Sequence, residues 1–125
     1  GAWVLSDRFV DATYAYQGAG RGLPIADIAA LEHWLLQGQQ PGLTLLLDMP
    51  VADGMARARA RAALDRFESE QLEFFERVRA GYLARAVADP QRIRQIDAAQ
   101  SLLAVQADVL QAVRAYQAAI GEARS

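Results

Sequence analysis

Two short apolar runs in this chain each close on an acid. Trp3-Val4-Leu5-Ser6 leads into Asp7-Arg8-Phe9, and Leu43-Thr44-Leu45-Leu46-Leu47 ends on Asp48 before Pro50. A run that is apolar on alternate and intervening positions alike has no face to give to water. Both runs therefore read as buried strands of a parallel sheet, with a polar residue at the carboxyl end. Arg94-Gln95-Ile96-Asp97, after Asp89-Pro90, is a shorter third candidate. The stretches between them have helical spacing. Ile25, Ile28, Ala29, Leu31, Leu35 and Leu36 recur three and four residues apart after Pro24, and Gly38 and Pro41 close that segment. Residues 51–62 read as a second helix. Residues 69–88 form a third, with an apolar face through Leu72, Phe75, Val78, Tyr82 and Leu83, and 101–121 a fourth, capped by Ser101. Strands that alternate with helices are βα units, so an α/β fold is expected.

Composition narrows the chemistry. The chain has 125 residues, enough for one domain, and 53% of them are hydrophobic against 22% charged, which excludes intrinsic disorder. Its apolar runs fall far short of the ~20 residues that span a bilayer, so no membrane partner is expected. All thirteen basic residues are Arg. The absence of Lys removes a phosphate-loop lysine, a Schiff-base lysine and a lysine general base from these residues. With no Cys and the single His33, neither thiolate chemistry nor a His-based metal cluster can be built. A net charge of −2 argues against general nucleic-acid affinity, and a cytoplasmic protein is the expectation.

The Gly-rich break at Gly18-Ala19-Gly20-Arg21-Gly22 and the segment 61–66 are the irregular stretches, and in open α/β sheets ligands sit beyond the carboxyl ends of strands. Asp7-Arg8 lies at such an end. There a carboxylate can meet a metal's water shell while the guanidinium grips phosphate through two parallel hydrogen bonds; a structural ion pair is the plainer alternative. Thr13 and Gln17 are four apart and share a helical face, where a hydroxyl and an amide can read the edge of a planar base or simply meet solvent. Arg57, Arg59, Arg61 and Arg66 place four guanidiniums within ten residues. They read either as a solvated face or as a mobile basic lid that closes on a polyphosphate. RNA binding fits poorly beside Glu68, Glu70, Glu73 and Glu76. His33 reads as a surface or packing residue, Asp48 as turn chemistry or an orienter of metal-bound water, and Phe74, Phe75 and Tyr82 as core.

In order and interval, Asp7-Arg8-Phe9, the stretch Asp11 to Gly22, Leu43 to Asp48, Arg57 to Arg61 and Leu64-Asp65-Arg66-Phe67-Glu68 closely resemble bacterial thymidylate kinase, from Trp3 to about Ile120. The stretch Tyr16-Gln17-Gly18-Ala19-Gly20-Arg21-Gly22 separates that family from other nucleoside monophosphate kinases. The resemblance implies a P-loop NTPase-type parallel sheet with flanking helices and phosphoryl transfer from ATP to dTMP, giving dTDP, with Mg²⁺. It implies that Arg8 contacts phosphate at the transfer site and that Asp7 lies beside the metal and the acceptor phosphate, with no direct metal ligand. Thr13 and Gln17 match positions that hydrogen-bond thymine, and Tyr16 matches a tyrosine against the sugar's 2′ carbon. The lid falls at about 59–68, where Arg61 is the leading candidate for transition-state charge, with Arg59 and Arg66 behind it. Homodimers are common in the family.

The family's opening strand, Gly-rich loop ending in Lys-Ser/Thr and first helix have no counterpart here. Residues 1–125 are thus expected to be the C-terminal part of a single nucleoside monophosphate kinase domain, inactive by itself. In the strand order 2-3-1-4-5 the absent strand belongs between 3–8 and 43–48. Those two strands would then lie about 10 Å apart, twice the usual spacing, with two apolar edges exposed. The alternative is a chain that is whole at this length and acts as a non-catalytic nucleotide-binding or interaction module.

Overall fold

A computed structural model describes residues 2–61 and 69–122. Its elements are α1 (Val10–Thr13), a π-helix (Tyr14–Gly20), α2 (Ile25–Leu36), β1 (Thr44–Asp48), α3 (Val51–Arg61), α4 (Ser69–Ala88), β2 (Ile93–Asp97) and α5 (Leu102–Glu122). They divide into two compact units, the described parts of Gly1–Gln40 with Phe67–Arg85 and of Pro41–Arg66 with Ala86–Ser125.

In the second unit β1 and β2 pair in parallel from Thr44↔Ile93 to Asp48↔Asp97. The expected α/β class holds, as a small parallel sheet with helices. The weaker third strand candidate carries the buried side chains of the pair, although Arg94, Gln95 and Asp97 are exposed. Ile93 and Ile96 are 5% exposed, whereas Leu47 of β1 is 56% exposed. The faces of a parallel sheet are buried only where helices cover them, and β2 is the one strand paired with β1 among the described residues. Arg92 ties the entry of this sheet together. Its buried guanidinium donates to Asp89 Oδ2 at 2.7 Å and to Thr44 Oγ1 at 2.9 Å, while the Thr44 N–H reaches the Arg92 carbonyl at 2.9 Å. At the exit, Gln95 Nε2 donates to Asp48 Oδ2 at 3.1 Å, and the Asp48 carbonyl accepts the Ala98 N–H at 2.7 Å. Asp48 is thus engaged in closing the strand pair. α5 packs on β2 and begins as expected, with Ser101 Oγ accepting the Ala104 N–H at 3.2 Å.

The first unit corrects the reading of the amino-terminal run. Trp3-Val4-Leu5-Ser6 is not a strand, and Trp3, Val4 and Leu5 are 64%, 88% and 100% exposed. An apolar run becomes a buried strand only with a neighbour to take its backbone hydrogen bonds, and among the described residues of this unit no strand lies beside it. The Gly-rich break is irregular only at its end, because residues through Gly20 continue as a π-helix before Arg21 and Gly22 turn out of it. α2 matches its expected span and stops where Gln37 (φ 49°) and Gly38 (φ 86°) turn left-handed. His33 is exposed on it. α4 buries Val78 at 4% exposure, with Phe74, Phe75 and Tyr82 half-buried; Leu72, expected on its apolar face, is 39% exposed near the helix start.

Two glycines set how closely the π-helix and α4 approach. A Cβ at Gly20 would stand 2.8 Å from Phe74 Cε2, and one at Gly81 would stand 2.7 Å from Ala19 Cβ and 3.0 Å from Ala15 Cα. Arg77 Nε adds a bond to the Gly20 carbonyl at 3.2 Å. No described helix is long and apolar enough to cross a membrane.

Candidate active site

The π-helix determines which side chains meet. Tyr16 and Arg21 are five residues apart, which on an α-helix would turn them about 140° from each other. Here the Arg21 N–H bonds to the Tyr16 carbonyl at 3.0 Å, five residues back, and this wider turn rotates the two side chains toward the same side. Small Gly18, Ala19 and Gly20 accommodate the widened turn against α2 and α4. At Gly18, for example, a Cβ would stand 2.6 Å from Ile25 Cδ1.

On that side lies an open cavity of about 250 Å³ lined by Arg8, Ala12, Thr13, Tyr16, Gln17 and Arg21. Four residues expected to act together, Arg8, Thr13, Tyr16 and Gln17, are therefore brought to one place. Arg8 adopts a left-handed backbone (φ 64°), unusual outside glycine, and the Ser6 hydroxyl donates to its carbonyl at 3.0 Å. Its guanidinium lies 5.0 Å from the centre of the Tyr16 ring, with Nη2 reaching the Tyr16 hydroxyl at 3.5 Å. The Tyr16 ring is backed in turn by Phe74 and Tyr82, each with its ring centre 6.2 Å away. Burial, followed by the neighbouring Tyr16, pushes the Tyr82 hydroxyl pKa upward, so it stays a neutral phenol.

α1 is fixed by an ion pair whose carboxylate is buried and whose guanidinium is half-buried. Arg85 Nε meets Asp11 Oδ1 at 3.0 Å, and the same guanidinium lies 4.0 Å from the Tyr14 ring centre. Tyr14 donates to Glu32 Oε2 at 2.5 Å, and Gln40 Nε2 to Glu32 Oε1 at 2.8 Å. These contacts hold α1 and the π-helix, which carry Thr13 and Tyr16.

Arg21 was not singled out by residue spacing. It donates from Nη1 to Gln17 Oε1 at 3.1 Å. Helical periodicity of 3.6 hides it, and the signal that could have found it is the pair of glycines on either side, which let the turn widen. Asp7 is exposed beside Arg8. Among the described residues no group of three or more His, Asp or Glu could hold a metal ion.

The basic run divides. Arg57 is a structural tie in the second unit, donating to the carbonyls of Ala98 at 2.8 Å and Ala99 at 3.2 Å. Arg59 is exposed on α3. Arg61 closes that helix, but its side chain, like Arg66 and most of the expected lid at 59–68, lies outside the described residues.

Comparison with known proteins places the chain in one family. Residues 1–109 match the thymidylate kinase family model. The chain is 55% identical to the thymidylate kinase of Alcanivorax borkumensis over 94% of its own length and 57% of the relative's. It is 58% identical to that of Teredinibacter turnerae over 93% and 57%, and 60% identical to that of Pseudomonas putida over 87% and 52%. The chain thus spans little more than half the length of these curated relatives. On the family match and on identities of this size, the chain belongs to the thymidylate kinase family, nucleoside monophosphate kinases of the P-loop NTPase type.

Proposed function

We propose that this chain supplies the monophosphate side of a dTMP kinase, which transfers a phosphoryl group from ATP to dTMP and gives dTDP. In this reading residues 1–125 are the C-terminal part of one cytoplasmic kinase domain within a longer chain. The observation that carries it is a cavity walled together by Arg8, Thr13, Tyr16 and Gln17, the chemistry a deoxynucleoside monophosphate requires. A guanidinium takes phosphate through paired hydrogen bonds. A hydroxyl and an amide read the base edge. An aromatic ring, held from behind by Phe74 and Tyr82, forms a wall at the sugar that a 2′ hydroxyl would strike.

The reaction needs little covalent chemistry from the protein. Phosphoryl transfer is accelerated by positioning and by positive charge where charge develops. Arg8, fixed against the Tyr16 ring, orients the acceptor phosphate. Arg61, with Arg59 and Arg66 in the lid at 59–68, brings charge to the transferred group and excludes water as the lid closes.

Magnesium fits the residues present only as an ion carried by the nucleotide phosphates. It keeps most of its waters and needs one or two carboxylates, and Asp7 is an exposed carboxylate beside Arg8, able to receive that water shell. Bound there, the ion would neutralise phosphate charge. A homodimer through helix faces completes the reading, and Leu31, Trp34 and Leu35 of α2, 56%, 74% and 64% exposed, offer such a face.

Steady-state kinetics of the complete enzyme test the assignment. Arg61→Ala lowers kcat by about a hundredfold or more with dTMP affinity nearly intact, because its contact forms mainly in the transition state. A loss confined to dTMP binding would remove that role.

A further inference from the structure

We infer that Arg21 is a positioning residue that sets base specificity by fixing which end of the Gln17 amide faces the base. This rests on the reading of the cavity as a nucleotide site. A glutamine amide is ambiguous as a reader, since one end accepts a hydrogen bond and the other donates two. Left alone it can turn over and serve a base carbonyl or a base amino group equally. Arginine has donors and no acceptor, so whichever end of Gln17 meets Arg21 must be the oxygen. Arg21 Nη1 stands 3.1 Å from Gln17 Oε1. The amide nitrogen is thereby left as the end available to a ligand.

The fold fixes the backbone from which the exposed Arg21 side chain reaches Gln17. Its N–H is bonded to the Tyr16 carbonyl at 3.0 Å, and the next N–H, of Gly22, to the Gly18 carbonyl at 2.8 Å. Both Arg21 and Gln17 line the same cavity as Arg8, Thr13 and Tyr16. With its nitrogen outward, Gln17 donates to a carbonyl at the position that distinguishes pyrimidines. Thymine carries an oxygen there and cytosine an amino group. The oxo base is matched and the amino base meets donor against donor, a mismatch that disfavours it. Without Arg21 the amide turns freely, and the cytosine base regains a partner.

Calorimetric titration of the protein with dTMP and with dCMP tests this. The ratio of the two affinities falls about five- to tenfold in Arg21→Ala, as expected for one oriented hydrogen bond. Arg21→Lys, which retains a donor-only cation, keeps most of the ratio. Gln17→Glu, which offers only acceptors, shifts preference toward dCMP. A purely structural role for Arg21 would weaken both nucleotides alike, and a ratio unchanged in Arg21→Ala would overturn the inference while leaving the dTMP site standing. A wild-type protein that binds dTMP and dCMP equally would remove the substrate reading and this inference with it.

Discussion

At the scale of single residues, the cavity is organised by groups that restrain one another. The Arg8 guanidinium lies over a tyrosine ring that is itself packed on two others, so the charge and the wall are positioned together. If the ring excludes ribose by its bulk, the hydroxyl is dispensable. Tyr16→Phe should then keep the preference for dTMP over its ribose counterpart, losing only the long 3.5 Å contact from Arg8. Comparing the two nucleotides checks this, and a collapse of discrimination would show that the hydroxyl acts instead. The Asp11–Arg85 pair carries the largest expected effect on stability. Arg85→Ala leaves the Asp11 carboxylate, with a side chain 7% exposed, without this partner, and a loss of about 3 kcal/mol is expected in denaturant unfolding. Tyr14 adds a pH dependence. Burial, then the hydrogen bond to Glu32, raises its pKa from 10.0 to about 12. Because the fold favours the neutral phenol, this contribution is whole below pH 10 and is lost as pH rises toward about 12. Alkaline unfolding curves should fall less steeply in Tyr14→Phe.

At the scale of elements, the π-helix is the part that local periodicity could not show. α2, α4 and α5 were legible because their apolar residues recur at α spacing and because Pro24 and Ser101 mark their starts. A widened turn leaves no such imprint, since Thr13 and Gln17 share a side on either kind of helix, whereas Tyr16 and Arg21 do so only on the wider one. The reading of Trp3 to Ser6 as a strand failed for another reason. Strand pattern is a statement about both neighbours, and the sequence of one segment says nothing of whether they are beside it. The close approach of the π-helix to α4 makes a further prediction. Gly81→Ala gains about 1 kcal/mol of helix propensity, but its Cβ meets Ala15 Cα, which is backbone and cannot rotate away. The expected net loss is about 1 kcal/mol, measured by thermal unfolding. Gly121→Ala, whose Cβ meets nothing within 4 Å, should instead raise stability slightly.

At the scale of the whole molecule, two units share one chain and divide the expected roles. The first gathers Arg8, Thr13, Tyr16, Gln17 and Arg21 around one cavity, and the second pairs β1 with β2 and carries α3, whose end opens the expected lid. Four of the cavity residues were named from the sequence because motif order carries information that single motifs lack. The fifth, Arg21, stood in the Gly-rich stretch without a role of its own, because that role depends on the path of the backbone. The central claim is that this cavity takes dTMP, and heteronuclear NMR of the protein titrated with dTMP tests it most directly. The account predicts that the backbone amides of Arg8, Thr13, Tyr16, Gln17 and Arg21 shift together and saturate with one affinity. Saturation that leaves these amides unmoved, or that moves only residues elsewhere, would contradict it.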